Sequence, residues 1–242
     1  MDKVVIIVQA RMRSTRLPGK VLLEVGGKPL LTYLLERLQK VKNADEVVVA
    51  TTKNKEDDSI VQLCEGLGVR VYRGSDGDVL ERFNETAVQF DADVVVRITA
   101  DCPLMDPSIV EYVIQEYADH KAEYASNTLD RTYPRGMDVE VFSTNLLSEV
   151  ADIAVHLSDR EHVTSYIYTH PHKYLLNSVR SSQDFSKYRW TVDTAEDFKL
   201  ISKMIKGVYP NNPQFAYEDL LQLMEDHPEW KEINAGIEQK PL

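Results

Sequence analysis

The sequence predicts an α/β fold built on one doubly wound, mostly parallel sheet. From residue 4 to residue 99, short apolar segments of strand length alternate with longer segments of helical periodicity. The first apolar segment, Val4-Val5-Ile6-Ile7-Val8, is continuous, as expected for a strand that is buried on both faces. Right-handed crossovers would then bring the carboxyl ends of the strands to one edge of the sheet, where such folds bind ligands.

The first part of the chain supplies four strands and three helices. The strands are predicted from β-branched apolar runs that end at turn residues, and they span 4–8, 46–52, 69–72 and 93–99. The helices are predicted from apolar stripes at helical spacing, and they span 29–41, 57–67 and 79–90. Pro29 suits a first helical position, and Gly68 suits a helix end.

The alternation becomes less regular after residue 120. Residues 124–137 contain Asn, Asp, Pro and Gly and are predicted to form an irregular loop that faces substrate. The remaining elements are predicted from the same patterns as strands at 138–142 and 174–179 and helices at 145–154, 159–169, 193–206 and 216–226. The length of 242 residues predicts a single domain, 1–242.

Composition excludes several classes of partner. The chain has 28 Lys+Arg against 39 Asp+Glu, a formal charge of −11, which argues against nucleic acid or an anionic membrane as partner. Cys64 and Cys102 show no C-x-x-C spacing, so neither a disulfide framework nor a zinc site is expected. No apolar segment is long enough for a membrane span or a signal peptide, which predicts a soluble, cytoplasmic protein.

A basic loop, Q-A-R-M-R-S-T-R-L-P-G-K at residues 9–20, follows the first strand. It places three arginines and one lysine at a predicted ligand-binding edge of an acidic protein. Arginine forks take phosphate oxygens in pairs and lysine adds a mobile charge, so the loop predicts a polyphosphate site. The turn signal Pro18-Gly19 would direct Lys20 back toward the loop. The alternative is a solvated loop whose arginines pair with surface carboxylates.

The pattern R-x-x-S-T-R-L-P-G-K after an apolar strand resembles the signature of cytidylyltransferases that activate acidic sugars. These are the CMP-KDO and CMP-sialic acid synthetases, and the nearest match is the spore coat polysaccharide biosynthesis protein F group. The resemblance implies a Rossmann-like nucleotide-diphospho-sugar transferase fold. It also implies that Arg11, Ser14, Arg16 and Lys20 hold the triphosphate and that Ala10 lies near the base. In these families the middle segment, here about 125–190, forms a small lobe or arm that supports a homodimer.

A second informative stretch, A-D-C-P-L at residues 100–104, leaves the strand predicted at 93–99. A carboxylate at this place suits Mg²⁺, which takes one or two carboxylates and completes its shell with water and phosphate oxygens. The alternative is that Asp101 is a turn or helix-cap residue before Pro103. The stretch is similar to the G-D-x-P-L/I segment of the same families, whose aspartate binds the metal. It departs from that segment at Ala100, and Arg97 stands where a polar uncharged residue is common.

A third stretch, R-W-T-V-D-T at residues 189–194, ends a short strand at Asp193. Glu196 lies three residues past Asp193, so these two residues are also typical of a capping box at a helix start. The resembling families carry R-V-D-T/N-x-E-D-L here, and its aspartate is the second metal ligand. The resemblance therefore assigns Asp193 to Mg²⁺ beside Asp101.

Three further residues are candidates for substrate contacts. Arg73 follows a strand and precedes a Gly/Asp loop, so it is a candidate for the base or ribose, with a surface ion pair as the alternative. Arg135 is a candidate for a sugar carboxylate, and His162 for the sugar. The alternatives are an exposed loop arginine and a structural helical histidine.

Together these patterns predict a Mg²⁺-dependent cytidylyltransferase that converts CTP and an acidic sugar into a CMP-sugar and pyrophosphate, for surface or spore coat polysaccharide synthesis. Arg16, Lys20 and Asp101 are the predicted catalytic residues. Two alternatives stay open: a nucleotidyltransferase or glycosyltransferase acting on another nucleotide or a neutral sugar, and a non-catalytic nucleotide-binding scaffold. The glycine-rich G-x-G-T-R-L loop of neutral-sugar nucleotidyltransferases is absent. Glycosyltransferases commonly carry a D-x-D triplet, and none lies at the end of a core strand here; the nearest, Asp76-Gly77-Asp78, lies in the loop after the strand predicted at 69–72.

Overall fold

The computed structural model describes residues 2–238 and contains one large sheet and one small hairpin. Its strands in chain order are β1 (Val4–Gln9), β2 (Glu24–Val25), β3 (Lys28–Pro29), β4 (Glu46–Thr52), β5 (Arg70–Gly74), β6 (Val94–Thr99), β7 (Tyr124–Ser126), β8 (Glu140–Ser143) and β9 (Leu176–Ser178). The large sheet has the order β5-β4-β1-β6-β8-β7-β9, and β2 pairs with β3. Strand β1 therefore lies near the centre of the sheet, and its carboxyl end is flanked by those of β4 and β6.

Helices cover both faces of this sheet. In chain order they are α1 (Leu30–Leu38), α2 (Asp58–Gly66), α3 (Val79–Gln89), α4 (Pro107–His120), α5 (Thr144–Ile153), α6 (Leu157–His162), α7 (Ser165–Thr169), α8 (Ala195–Val208) and α9 (Tyr217–Asp226). Strand β1 shows why helices are needed on both faces of the sheet. Ile6 and Val8 are buried in the core formed with α1, α4 and α8, whereas Val5 and Ile7 are buried in the core formed with α3 and α5.

The order and direction of the strands confirm the predicted mostly parallel, doubly wound sheet. Strand β1 runs parallel to β4 and to β6, and Gln9 is in register with Ala50 on one side and Thr99 on the other. The loops after β1 and β6 therefore leave the same edge side by side. Strand β8 is antiparallel to β6 and to β7, and β9 is parallel to β7, so the segment 125–190 extends the same sheet.

Two local predictions in that segment are wrong. The helix predicted over 159–169 is two short helices, α6 and α7, because Val163 between them has a φ of 65°. A β-branched residue in this conformation costs about 1–3 kcal/mol, and complete burial of the Val163 side chain offsets that cost. The loop predicted over 124–137 begins instead with β7, which pairs with both β8 and β9.

Helix α4 was not among the predicted elements, although Asp106 caps it and Pro107 occupies its first turn. Within residues 2–238, none of the helices combines the length and the apolar character that crossing a membrane requires.

Candidate active site

The basic loop turns back on itself at Gly19. Gly19 has a φ of 70°, a conformation that glycine adopts without a Cβ clash, and its N–H donates to the Met12 carbonyl at 2.9 Å. Lys20 then begins a short 3₁₀ helix. As a result the Lys20 ammonium points to the sheet edge and donates at 2.7 Å to both Asp101 and Asp193. The predicted turn at Pro18-Gly19 is confirmed, and the Lys20 side chain extends from it to two aspartates outside the loop rather than back to the loop.

Asp101 is held directly after β6. Its Oδ1 accepts from the Thr99 hydroxyl at 2.7 Å, and its backbone carbonyl accepts from the N–H of Val192 at 2.9 Å. That second bond ties the segment carrying Asp193 to the loop of Asp101. Burial alone would raise the pKa of Asp101, but the nearby Lys20 ammonium outweighs burial and lowers it. Asp101 is therefore ionised, and the pKa of Lys20 is raised by the two carboxylates despite its own burial.

Asp193 is oriented by two guanidinium groups. Its Oδ2 accepts from Arg16 at 2.7 Å and from Arg189 at 2.9 Å. Arg189 is itself fixed by Asp197, whose Oδ1 accepts from Nε at 3.0 Å. A carboxylate with this many charged donors is a rigid anchor at the sheet edge.

Neither Asp101 nor Asp193 caps a helix, so the helix-cap alternatives are wrong, whereas Asp101 does lie in a turn after β6, as the other part of its alternative states. Helix α8 is capped by Thr194, and the capping box is closed by Asp197 rather than by Glu196. Helix α4 is capped by Asp106. The carboxylates of Asp101 and Asp193 are therefore not used by helix ends, and both line the adjoining cleft.

The chemistry of this pair suits a divalent cation. Two carboxylates that each place one oxygen 2.7 Å from a single ammonium are arranged to share one compact cation. Mg²⁺ takes one or two carboxylates and fills its other positions with water and phosphate oxygens. Residues 2–238 hold no group of three or more His, Cys, Asp or Glu side chains suited to a metal, so triphosphate and water would complete the shell.

The cleft beside this pair has a volume of about 950 Å³. Charged groups of both signs line it: Arg11, Arg16, Arg97, Arg131, Arg135, Asp101, Asp138, Glu140, Glu161 and Asp193. Arg11 lies between two acidic partners, 3.6 Å from Asp76 and 3.8 Å from Glu161. Its side chain is 40% exposed, so these long contacts can exchange for a ligand.

The far side of the cleft is formed by a buried ion pair across β6 and β8. Arg97 and Glu140 are cross-strand neighbours and form a salt bridge, and Arg97 also donates to Gln9 Oε1 at 3.0 Å. Glu140 accepts in addition from the hydroxyls of Tyr124, at 2.6 Å, and Thr164. Sequence analysis missed Glu140 because its partner lies 43 residues away. The only sequence signal is a charged residue inside the alternating segment 138–142.

Two more arginines on this side of the cleft differ in whether they have a partner. Arg131 forms a fork to both oxygens of Asp138 at 2.5 and 2.9 Å. The guanidinium of Arg135 has no hydrogen-bonding or ion-pair partner within residues 2–238. Burial and the neighbouring Arg131 lower the pKa of Arg135. His162, at the end of α6, completes this wall, so the structure brings both predicted sugar-binding residues to the cleft.

Other predicted contacts lie elsewhere. Lys20 does not line the cleft itself and reaches the site through its contacts with Asp101 and Asp193. Among the described residues, the cleft wall also does not include Ala10, Ser14 or Arg73. Ala10 is buried, and the Ser14 hydroxyl accepts from Leu17 N–H at 3.4 Å. Arg73 donates to Asp58 at 2.6 Å and to two backbone carbonyls, as its ion-pair alternative describes. The nucleotide contacts of these three residues stay predictions.

The short strand predicted to end at Asp193 is not formed; that segment has only an isolated bridge between Arg135 and Arg189. An α/β sheet whose edge gathers a lysine, arginines and two carboxylates, one after β6 and one just before α8, still has the organisation of a phosphate-binding protein. The chain belongs to the cytidylyltransferase family, whose model matches residues 5–231. It is 34% identical to the spore coat polysaccharide biosynthesis protein SpsF of Bacillus subtilis, over 95% of this chain and 97% of that protein.

Two further comparisons agree with the family assignment. A solved cytidylyltransferase from Leptospira borgpetersenii superposes with a TM-score of 0.91 and 34% identity over 100% of both chains. The 3-deoxy-manno-octulosonate cytidylyltransferase of Geobacter sulfurreducens is 36% identical over 118 residues, 48% of this chain and 46% of that protein. The predicted family and the predicted Rossmann-like fold are confirmed.

Proposed function

We propose that this cytidylyltransferase transfers CMP from CTP to an acidic sugar and releases pyrophosphate. The observation that carries the proposal is the contact of Lys20 with both Asp101 and Asp193 at the edge of a large cleft. A hydroxyl of the sugar attacks the α-phosphorus, the new sugar–phosphate bond forms, and the bond from the α-phosphorus to the β-phosphate oxygen breaks. The hydroxyl proton passes to water. Such transfers depend mainly on positioning and on stabilising negative charge.

The cations of the basic loop would hold the leaving pyrophosphate. Arg16 is 27% exposed and its fork can take two phosphate oxygens, whereas Lys20 contributes a point charge. Mg²⁺ bound by Asp101 and Asp193 would neutralise charge on the triphosphate. Because the Lys20 ammonium lies between these two carboxylates, we infer that it moves toward the phosphates when metal and nucleotide bind together.

The far side of the cleft supports an acidic sugar as the acceptor. Arg135 presents a guanidinium with no hydrogen-bonding or ion-pair partner within residues 2–238, and guanidinium groups pair well with carboxylates. The Geobacter relative is a cytidylyltransferase for 3-deoxy-manno-octulosonate, which is a sugar acid. The relative SpsF supports a role in surface or spore coat polysaccharide synthesis. The homodimer and the cytoplasmic location stay predictions.

The first test is a thermal-shift comparison of CTP, UTP, ATP and GTP, each with Mg²⁺. CTP at about 100 times its dissociation constant should add about 2.7 kcal/mol to the free energy of unfolding. The other three should add less at the same concentration. Equal shifts with all four nucleotides would contradict the choice of CTP.

The second test is pyrophosphate release from CTP in the presence of a panel of sugar acids and their neutral reduced analogues. At least one acid should support turnover, whereas its neutral analogue should not. Arg135→Gln should raise KM for that acid more than KM for CTP. Turnover with neutral sugars alone would show that the acceptor class is wrong while leaving the nucleotide assignment intact.

A further inference from the structure

A second cavity, of about 320 Å³, lies beside the cleft between residues 186–190 and residues 231–237. Its walls are lined by Arg135, Ser186, Lys187, Tyr188, Arg189, Trp190, Leu200, Met224, Lys231, Glu232, Asn234, Ala235 and Ile237. Apart from Arg135, which borders both spaces, these residues do not line the cleft. The reaction proposed above therefore gives this cavity no role.

The cavity gathers three cations that have no ion-pair partner among the described residues. Arg135, Lys187 and Lys231 face it, and within residues 2–238 none of the three forms an ion pair with a carboxylate. Glu232 is the single carboxylate in its wall. In a chain of formal charge −11, three unneutralised cations around one space indicate a site for an anion.

The apolar wall of the cavity is a pair of stacked rings. Tyr188 and Trp190 have centroids 5.6 Å apart at an interplanar angle of 19°. The ammonium groups of Lys187 and Lys231 lie 5.3 and 5.8 Å from the Tyr188 ring centroid. Trp190 is fully buried, and its indole N–H has no acceptor among the described residues. A buried donor is normally paired, so this N–H is a second, independent sign of a missing acceptor.

We propose that this cavity is an accessory site for a small organic anion with a flat apolar body, a phosphate monoester or an aromatic carboxylate. Its occupancy is coupled to the active site through one hydrogen-bonded chain. Asn234, in the cavity wall, donates to Asp197 at 2.8 Å and to the carbonyl of Arg189 at 2.9 Å. Arg189 in turn donates to Asp193 at 2.9 Å, and Asp193 accepts from Lys20 at 2.7 Å. A ligand that shifts Asn234 or Arg189 thus acts on a predicted metal ligand.

The experiment follows the indole N–H signals of the full ligand-free chain by NMR during titration with phenyl phosphate, benzoate and phenol. The chain has two tryptophans, Trp190 and Trp230, so Trp230→Phe assigns the signals. Both anions should shift the Trp190 signal, and neutral phenol should not. Lys187→Ala combined with Lys231→Ala should weaken anion binding about tenfold or more and leave pyrophosphate release unchanged. Lys203→Ala, whose ammonium lies over Trp230 instead, is the matched control.

Coupling is tested by repeating the titration with saturating CTP and Mg²⁺. The affinity for phenyl phosphate should change, and phenyl phosphate should change the affinity for CTP by the same factor. An unchanged affinity would show that the cavity and the active site are not coupled, and only the proposal of an anion site in the cavity would remain. The site itself is overturned if the Trp190 signal does not move up to about 10 mM anion, or if it moves equally in the double lysine variant. The titration of the ligand-free chain depends on neither turnover nor CTP binding, so failure of the proposed reaction would be seen separately from failure of the accessory site.

Discussion

The two sides of the cleft use the same charged groups in different ways. The loop side comprises Arg16, Asp101 and Asp193, with Lys20 bonded between the two aspartates, and the strand side comprises Arg97, Arg131, Asp138 and Glu140. On the loop side one ammonium is shared by two carboxylates that lie on separate loops. On the strand side each arginine has its own carboxylate, and the more buried of the two pairs belongs to adjacent strands of the sheet.

This difference in pairing suggests that the loop side serves ligand binding and that the strand side serves folding. In the proposed reaction the shared cation would leave for a phosphate and a metal ion would take its place, since both carboxylates remain supported by their own loops. Arg97 and Glu140, with side chains 13% and 9% exposed, form ion pairs only with each other among the described residues, so removing one partner leaves a buried charge without compensation. Lys20 is equally buried at 13% exposure, but it keeps a second carboxylate when one of its two partners is replaced. We therefore expect substitutions on the loop side to change turnover, and substitutions on the strand side to change stability.

The largest expected effect is on turnover, from Asp101→Asn or Asp193→Asn. Each should lower kcat about 10²–10³-fold, because an amide is a poor magnesium ligand and the charge at the triphosphate is lost. The free energy of unfolding should change by only about 1 kcal/mol. Steady-state pyrophosphate release over a Mg²⁺ series and urea unfolding measure the two quantities. Near-normal turnover at limiting Mg²⁺ would remove that residue from the metal site.

The second expected effect is on folding, from Glu140→Gln. The glutamine can still accept from Tyr124 and Thr164, but Arg97 is left without a counter-charge, which should cost about 3 kcal/mol. Asp138→Asn is the control, since the Asp138 side chain is 33% exposed and its loss should cost about 1 kcal/mol. Chemical denaturation of both variants measures the difference. Equal costs would mean that burial does not distinguish the two pairs.

The third expected effect comes from Gly136→Ala, in the loop that carries Arg135. Gly136 has a φ of 102°, and an added Cβ would lie 2.5 Å from the carbonyl carbon and oxygen of Trp190. Backbone atoms cannot move aside as a side chain does, so a loss of about 3 kcal/mol is expected. Gly27→Ala, at a φ of 77° with nothing within 4 Å, isolates the conformational strain and should cost about 1 kcal/mol. A Gly136→Ala variant as stable as Gly27→Ala would show that this loop is not tightly packed against the backbone at Trp190.

The smallest expected effect is a gain of metal binding in Lys20→Ala. Removing the ammonium leaves Asp101 and Asp193 close together without the cation they share, so Mg²⁺ without nucleotide should stabilise this variant by about 1 kcal/mol. The parent protein, and Lys53→Ala with an exposed lysine outside the cleft, should show less stabilisation. Differential scanning fluorimetry with and without Mg²⁺ makes the comparison. The same small shift in all three proteins would contradict the placement of Lys20 between the ligands.

The sequence alone determined the parallel part of the sheet and the position of the basic loop. Both depend on local properties: continuous apolar runs, helical periodicity and the fixed handedness of crossovers. The same rules placed Lys20 and Asp101 at one edge, since the strands before them, β1 and β6, are parallel neighbours. The family resemblance added Asp193, which no local pattern distinguishes from a helix cap.

The tertiary structure decided what each charged group contacts. Arg97 meets Glu140 because of the register between β6 and β8, and a shift of one residue would turn Glu140 to the other face. Val163 interrupts a helical pattern because burial in the core outweighs its backbone preference. Asp193 faces the cleft, where Arg16 and Lys20 bond to it, because Thr194 caps helix α8 in its place. These outcomes depend on contacts between distant segments. The free energies of those contacts exceed the local conformational preferences on which a prediction from sequence depends.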